Sequence, residues 1–168
     1  MAIVYKLISD DQEKEAYDKI DYQLIAIHTS LEDYRLAFSI NKCLPVLLSK
    51  CNSNVSIKNK VSEVQFSRFF FDDKKKDIIW DLIQNKNEFS ATNFTVNTGL
   101  FENSKTQMAL KSYLIPEYKK VDYFLRIENC LDPITIQNTI SEIKKIKQIS
   151  TVYSVAIETI KSKNNLIF

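Results

Sequence analysis

Apolar residues along the chain fall into short runs broken by polar ones, and the spacing within each run predicts its element. Residues 21–28 (Asp-Tyr-Gln-Leu-Ile-Ala-Ile-His) are apolar on both sides of a period of two, as a central strand requires. Ser30-Leu31-Glu32-Asp33 resembles a capping box, with Ser30 as the N-cap of a helix from residue 31 to about residue 44. Leu31, Tyr34, Phe38 and Leu44, with Ala37 and Ile40, give that helix a broad apolar face, and Pro45 ends it. Residues 64–71 and 77–84 predict a hairpin turning at residues 72–76, with Ile78, Trp80 and Leu82 on one face of the second arm.

The last third of the chain carries the clearest pattern. Val121, Tyr123, Leu125 and Ile127 alternate with Asp122, Arg126 and Glu128, which predicts a strand with one dry and one wet side, Phe124 excepted. Asp132-Pro133 is an N-cap followed by proline at the first helical position. Ile136, Ile140 and Ile143 form the apolar stripe of the helix that follows, and Lys144, Lys145 and Lys147 suit the negative end of its dipole. Residues 151–160 read as a final strand with Tyr153, Val155 and Ile157 on one face.

Asp21-Tyr22-x-Leu24 is echoed 101 residues later by Asp122-Tyr123-x-Leu125, and each copy opens a strand that leads into a capped helix. Two such units around a hairpin, closed by a last strand, predict an α+β domain: an antiparallel sheet with two helices, in the ferredoxin-like order β-α-β-β-α-β. A short strand at residues 2–8 and an insertion at about 85–112 are additions to that order. Residues 10–19 read as a solvated helical turn or loop, residues 49–60 as a polar connection, and residues 85–112 contain a short element that the pattern does not place. Two helices cover only one face of a sheet. Phe69, Phe71, Phe124 and Tyr22 or Ile25 put apolar groups on both, which points to a homodimer covering the second face.

Length and composition narrow the function classes. The 168 residues suit one domain, and 45% hydrophobic with 26% charged residues is a globular composition. A single glycine, Gly99, excludes the glycine-rich phosphate loops and the nucleophile elbow. One histidine and three scattered cysteines supply no metal site, and no cofactor motif is present. The unpaired cysteine count fits reduced thiols in a cytoplasm, and no apolar stretch is long enough to cross a membrane. Net charge is +2 with only three arginines, Arg35, Arg68 and Arg126, so no strong basic face is encoded.

Candidate chemistry is sparse. His28 lies between a strand end and a helix start, where histidine is the common base near neutral pH, and the helix N-terminus at Ser30 offers N–H groups to an anion. The plainer reading is a capping and hydrogen-bonding histidine. Phe69 and Phe71 near Lys74, Lys75 and Lys76 are the nearest approach to a base-stacking surface for RNA, although the lysines also read as a soluble turn.

Residues 115–123, Ile-Pro-Glu-Tyr-Lys-Lys-Val-Asp-Tyr, match every fixed position of the motif that names the IPExxxVDY family. Residues 24–37, Leu-Ile-Ala-Ile-His-Thr-Ser-Leu-Glu-Asp-Tyr-Arg-Leu-Ala, resemble that family's N-terminal block. The family comprises small Bacteroidota proteins without an established activity, so the resemblance implies a cytoplasmic protein and transfers no catalytic residue. Pro116 forces Ile115 into an extended conformation and marks a bend before the strand, where Glu117 reaches a cation or a free backbone N–H. The motif reads as a shaped corner, or as a docking corner built from Glu117, Asp122 and Arg126. The expected function is a non-enzymatic protein-interaction module or homodimer. The alternatives are an RNA- or ribosome-associated protein and a small-ligand sensor that captures an anion near His28 and Ser30.

Overall fold

A computed structural model describes residues 22–58, 63–91, 108–130 and 132–168. The strand expected at residues 2–8, the polar turn at 10–19 and Gly99 lie outside the described residues. The chain is α+β. Its main sheet holds six strands: β1 (Tyr22–Thr29), β2 (Ser49–Lys50), β5 (Arg68–Asp73), β6 (Ile78–Gln84), β9 (Tyr123–Glu128) and β10 (Ile149–Val155). Their spatial order is β10-β1-β9-β6-β5-β2, and every neighbouring pair is antiparallel. Two further pairs, β3 (Val55–Lys58) with β4 (Glu63–Phe66) and β7 (Lys86–Ala91) with β8 (Met108–Tyr113), form separate two-stranded sheets. The helices are α1 (Asp33–Cys43) and α2 (Pro133–Lys144).

The six-stranded sheet is larger than the expected β-α-β-β-α-β order supplies. Residues 49–60, expected as a connection, contribute the short edge strand β2 to this sheet and β3 to a separate one, and the expected first hairpin arm at 64–71 divides into the end of β4, which pairs with β3, and β5, which pairs with β6. Two-residue and four-residue strands are too short to leave a periodic signature, which is why the pattern missed them. The region at 85–112 begins and ends as the β7–β8 hairpin. At the other side of the sheet, β9, α2 and β10 form a split β-α-β unit, with β1 lying between the two strands.

Alternation along the strands sorts the apolar residues onto two faces, each with its own core. Ile25, Ile27, Leu125, Ile127, Trp80, Leu82 and Val152 face the helices and pack against Leu36, Ala37 and Ile40 of α1 and Ile136 and Ile143 of α2. The hairpin face expected for Ile78, Trp80 and Leu82 is this one. Of the apolar face expected for α1, Leu31, Ala37, Ile40 and Leu44 are buried together with Leu36, whereas Tyr34 and Phe38 are 55% and 60% exposed. The helix starts at Asp33, two residues later than expected. Asp132 caps α2 as expected, accepting from Ile134 N at 3.1 Å and Thr135 N at 3.0 Å.

The second face carries Leu24, Ala26, Ile83, Phe124 and Val155. It is roofed by Val55, Val64 and Phe66 of the β3–β4 hairpin, by Leu114, Ile115 and Val121, and by Ile157, Ile160 and Leu166 near the end of the chain. The apolar face that suggested a second subunit is therefore already occupied. The final strand ends at Val155; residues 157–159 and 163–166 form 3-10 turns that carry the chain back across this face.

β9 has no wet side: Arg126 is buried. Asp81, fully buried on the adjacent strand, accepts from Arg126 Nη2 at 2.7 Å and from Arg68 Nε at 2.7 Å. Glu128 takes a further contact with Arg126 at 2.9 Å. Arg126 Nη1 donates to the Leu166 carbonyl, and the Phe168 ring lies 4.1 Å from the Arg68 guanidinium carbon and 4.4 Å from that of Arg126. Removing one partner of a buried charge cluster strands the others. Asp81→Ala should lower the unfolding free energy by about 3–5 kcal/mol in urea denaturation, and a loss below about 1 kcal/mol would contradict this role.

Candidate interaction site

The IPExxxVDY residues build a corner whose parts each have an identifiable physical task. Ile115 and Val121 are buried in the second core, and Pro116 opens a 3-10 turn at Pro116–Tyr118. The turn is anchored by Asn85, which is fully buried between β6 and β7. Asn85 N donates to Asp122 O and its carbonyl accepts from Leu114 N, both at 2.9 Å. Its side chain accepts from Ile115 N at 2.8 Å and donates to the carbonyls of Tyr118 and Val121 at 2.9 Å. Sequence reasoning missed Asn85; the signal available was a buried-type apolar strand that stops at an amide residue opposite the motif.

Glu117 meets free backbone N–H groups. Its Oε1 accepts from Lys161 N at 2.8 Å and Ser162 N at 2.9 Å, and its carboxylate also takes the Ser162 hydroxyl. Slight burial pushes the carboxyl up, but its hydrogen bonds with backbone N–H groups and with Ser162 outweigh that and hold it below the usual glutamate value. Asp122 accepts from Thr29 N at 2.9 Å and pairs with Lys86 at 2.6 Å, locking the end of β1. Tyr123 donates to the Leu31 carbonyl at 3.0 Å. Burial first, and then the charges of Asp33, Asp122 and Glu32, push its phenol up to about 12, so it stays a donor.

These placements separate the residues expected to act together. Glu117 holds the segment at 161–162, Asp122 holds β1, and Arg126 is buried under Leu166, so the three do not form one docking surface. His28 stacks on Tyr153 with centroids 5.7 Å apart and an interplanar angle of 26°, and its Nε2 lies 3.5 Å from the Tyr153 hydroxyl. Ser30 is exposed and caps nothing: Glu32 is the N-cap of α1, without a side-chain bond. The loop is instead closed by Thr29 Oγ1, which accepts from Leu31 N at 3.1 Å and donates to Gln148 O at 2.8 Å. An anion brought to the first turn of α1 would meet Glu32 and Asp33. Asp33 takes Lys50 at 3.0 Å, the Ser67 hydroxyl and its neighbour's N–H; burial opposes, but these contacts keep its carboxyl below the usual range.

Phe69 is buried in the helix-side core and Phe71 packs against it, so neither ring stands free for base stacking. Lys74, Lys75 and Lys76 are exposed in the β5–β6 turn, where Asp77 adopts the left-handed conformation (φ 56°) usually left to glycine. Other lysines gather elsewhere: Lys86, Lys111, Lys119 and Lys120 border a hollow of about 280 Å³ beside Tyr113, with Lys111 paired to Glu88.

The concavity with an apolar floor lies between the helices. Trp80 and Ile78 form its base, Leu44, Pro45 and Val46 one wall, and Thr135, Asn138 and Thr139 of α2 the other, enclosing about 400 Å³. Asp73, Lys76 and Glu142 stand at its rim, and the Cys43 thiol, its pKa raised by burial, borders it. The exposed side chains of Leu47 and Ile134 adjoin the two walls in sequence. Among the described residues no helix is long and apolar enough to cross a membrane, and no group of three or more His, Cys, Asp or Glu residues is placed to hold a metal ion. Searches against protein-family models, curated proteins and solved structures return no match for this chain.

Two measurements check the corner. Asn85→Ala leaves the Ile115 N–H and two carbonyls without partners and should cost at least about 2 kcal/mol of stability in urea denaturation. The folded-state pKa of Glu117 lies below its unfolded value of 4.5, so its contribution is full above that pH and lost as the pH falls through the folded-state value. In Glu117→Gln the acid-side slope of stability should flatten below about pH 4.5, and the Lys161 and Ser162 amides should exchange faster with solvent.

Proposed function

We propose that this protein is a non-enzymatic protein-interaction module that receives apolar side chains of a partner protein in the groove between α1 and α2. The observation that carries this reading is the groove itself: a concave floor of Trp80 and Ile78 with apolar and amide walls, ringed by charges of both signs. Interfaces are organised in this manner, with anchors buried in a central pocket and a polar rim that excludes water. Leu47 and Ile134, next in sequence to the two walls, are exposed apolar side chains. Three free cysteines accord with a cytoplasmic setting.

RNA association is the second reading. With Phe69 and Phe71 packed in the core, its support moves to the lysine-bordered hollow and to Lys74–Lys76. RNA held by lysines is released steeply as salt rises.

Asn138 is exposed at the mouth of the groove, so Asn138→Phe should block it without touching the core. Affinity capture from native cells with the wild type and this variant tests the reading. Specific proteins retained by the wild type and lost by the variant are expected. An unchanged protein profile, or retention of RNA alone that disappears at high salt, would defeat it. Trp80 is the only tryptophan, so its emission should shift when a captured partner is titrated into the wild-type protein.

A further inference from the structure

We infer that the surface beside residues 118–120 binds a nucleoside monophosphate, its phosphate held by Lys119 and Lys120 and its base against Tyr118 and Tyr153. Two hollows meet there and share Lys119 and Lys120 as their common border. One, of about 280 Å³, is the hollow that Lys86, Lys111 and Tyr113 also border. The other, of about 470 Å³, is walled by Tyr118 and Tyr153 and lies within the size range of small-ligand pockets, about 300–1,000 Å³. Both tyrosines are partly buried against the second core, and further contacts hold each ring. Tyr118 meets Phe124 edge to face with centroids 6.1 Å apart, and its hydroxyl lies 3.0 Å from that of Thr159. The Tyr153 ring is stacked on His28. Aromatic walls held in place beforehand lose little conformational freedom when a base stacks on them.

The charge of the border identifies the ligand. Of the four lysines, Lys86 is paired with Asp122 and Lys111 with Glu88. Lys119 and Lys120 are exposed and have no salt-bridge partner among the described residues, so two positive charges stand uncompensated. The Lys120 carbonyl accepts from Lys86 Nζ at 3.0 Å, which fixes the backbone between the two hollows. The two carboxylates on the borders are engaged elsewhere: Glu88 by Lys111, and Glu117 by the Lys161 and Ser162 amides. A phosphomonoester carries a charge of about −1.5 to −2 near pH 7, which matches the two unpaired lysines. A single strand of nucleic acid carries one charge per phosphate and needs a cationic track several nucleotides long, which so short a border does not supply. Inorganic phosphate would leave the tyrosine walls unused. The second core lies on the opposite face of the sheet from Trp80, so the inference does not rest on the occupant of the helix groove.

Isothermal titration calorimetry of the full chain at low salt tests it, with AMP, adenosine, inorganic phosphate and an oligoadenylate lacking terminal phosphates as probes. AMP should bind one to one with a Kd at or below about 1 mM. Adenosine and inorganic phosphate should each bind at least about tenfold more weakly, because each makes only part of the contacts. The double variant Lys119→Gln, Lys120→Gln alters exposed side chains alone; it should weaken AMP at least about tenfold and flatten the salt dependence of binding, with an unchanged circular dichroism spectrum. Tyr153→Leu should weaken AMP at least about fivefold and leave that salt dependence as it was. The inference is overturned by absence of AMP binding at about 5 mM, by AMP binding indifferent to the lysine pair, by inorganic phosphate bound as tightly as AMP, or by the oligoadenylate bound more tightly than AMP.

Discussion

A sheet whose central strands are apolar on both sides has to be roofed twice, and this requirement governs the rest of the molecule. β1 and β9 bury Ile25, Ile27, Leu125 and Ile127 on one face and Leu24, Ala26 and Phe124 on the other. Leaving either set in water would forfeit about 25 cal/mol for every Å² of apolar surface. Two amphipathic helices meet the demand on one side at little cost, because each satisfies its own backbone while presenting a stripe. Among the described residues no α-helix packs on the other side. That roof is assembled from a two-stranded hairpin, a turn and a returning chain segment, elements that cannot satisfy all their backbone groups internally.

Such a roof needs polar fasteners, and polar residues of this face act as fasteners. Asn85 closes the backbone of residues 114–122; Glu117 closes that of residues 161–162; Arg126, charge-balanced by Asp81, closes the carbonyl of Leu166. Each stands where irregular backbone meets the sheet, the place where an unpaired N–H or carbonyl would be most costly. Burying two arginines is acceptable here because Asp81 and Glu128 neutralise them and Phe168 lies over both guanidinium planes. The ion cluster and the apolar roof are consequently one device.

This division explains which parts could be read in advance. The hairpin face of Ile78, Trp80 and Leu82, the Asp132 cap and the stripe of α2 follow from local periodicity and capping chemistry, and they stand as expected. The wet side assigned to β9 failed because periodicity treats every charge as solvated, whereas Arg126 finds its counter-ion on the neighbouring strand. An aspartate interrupting the apolar run Ile78–Ile83, and an arginine interrupting 121–127, were the visible traces of that pair. Ser30 failed as a cap because Thr29 of β1 and Asp122, just before β9, already close the same loop, and α1 starts at Asp33. Pairings of this kind join residues about 40 to 120 positions apart, beyond the reach of any local window.

The motif that gives the chain its family resemblance belongs wholly to the fastening system. Ile115, Pro116, Glu117, Val121, Asp122 and Tyr123 spend their side chains on the core, the turn, the segment at 161–162, β1 and the loop before α1. None of them lines the groove beside Trp80. A chain could keep the motif intact and carry a different groove. The motif therefore specifies how a two-faced sheet is closed within one chain. Under the proposed reading the partner is chosen instead by groove residues such as Trp80 and Asn138, which local patterning treats as ordinary strand and helix positions.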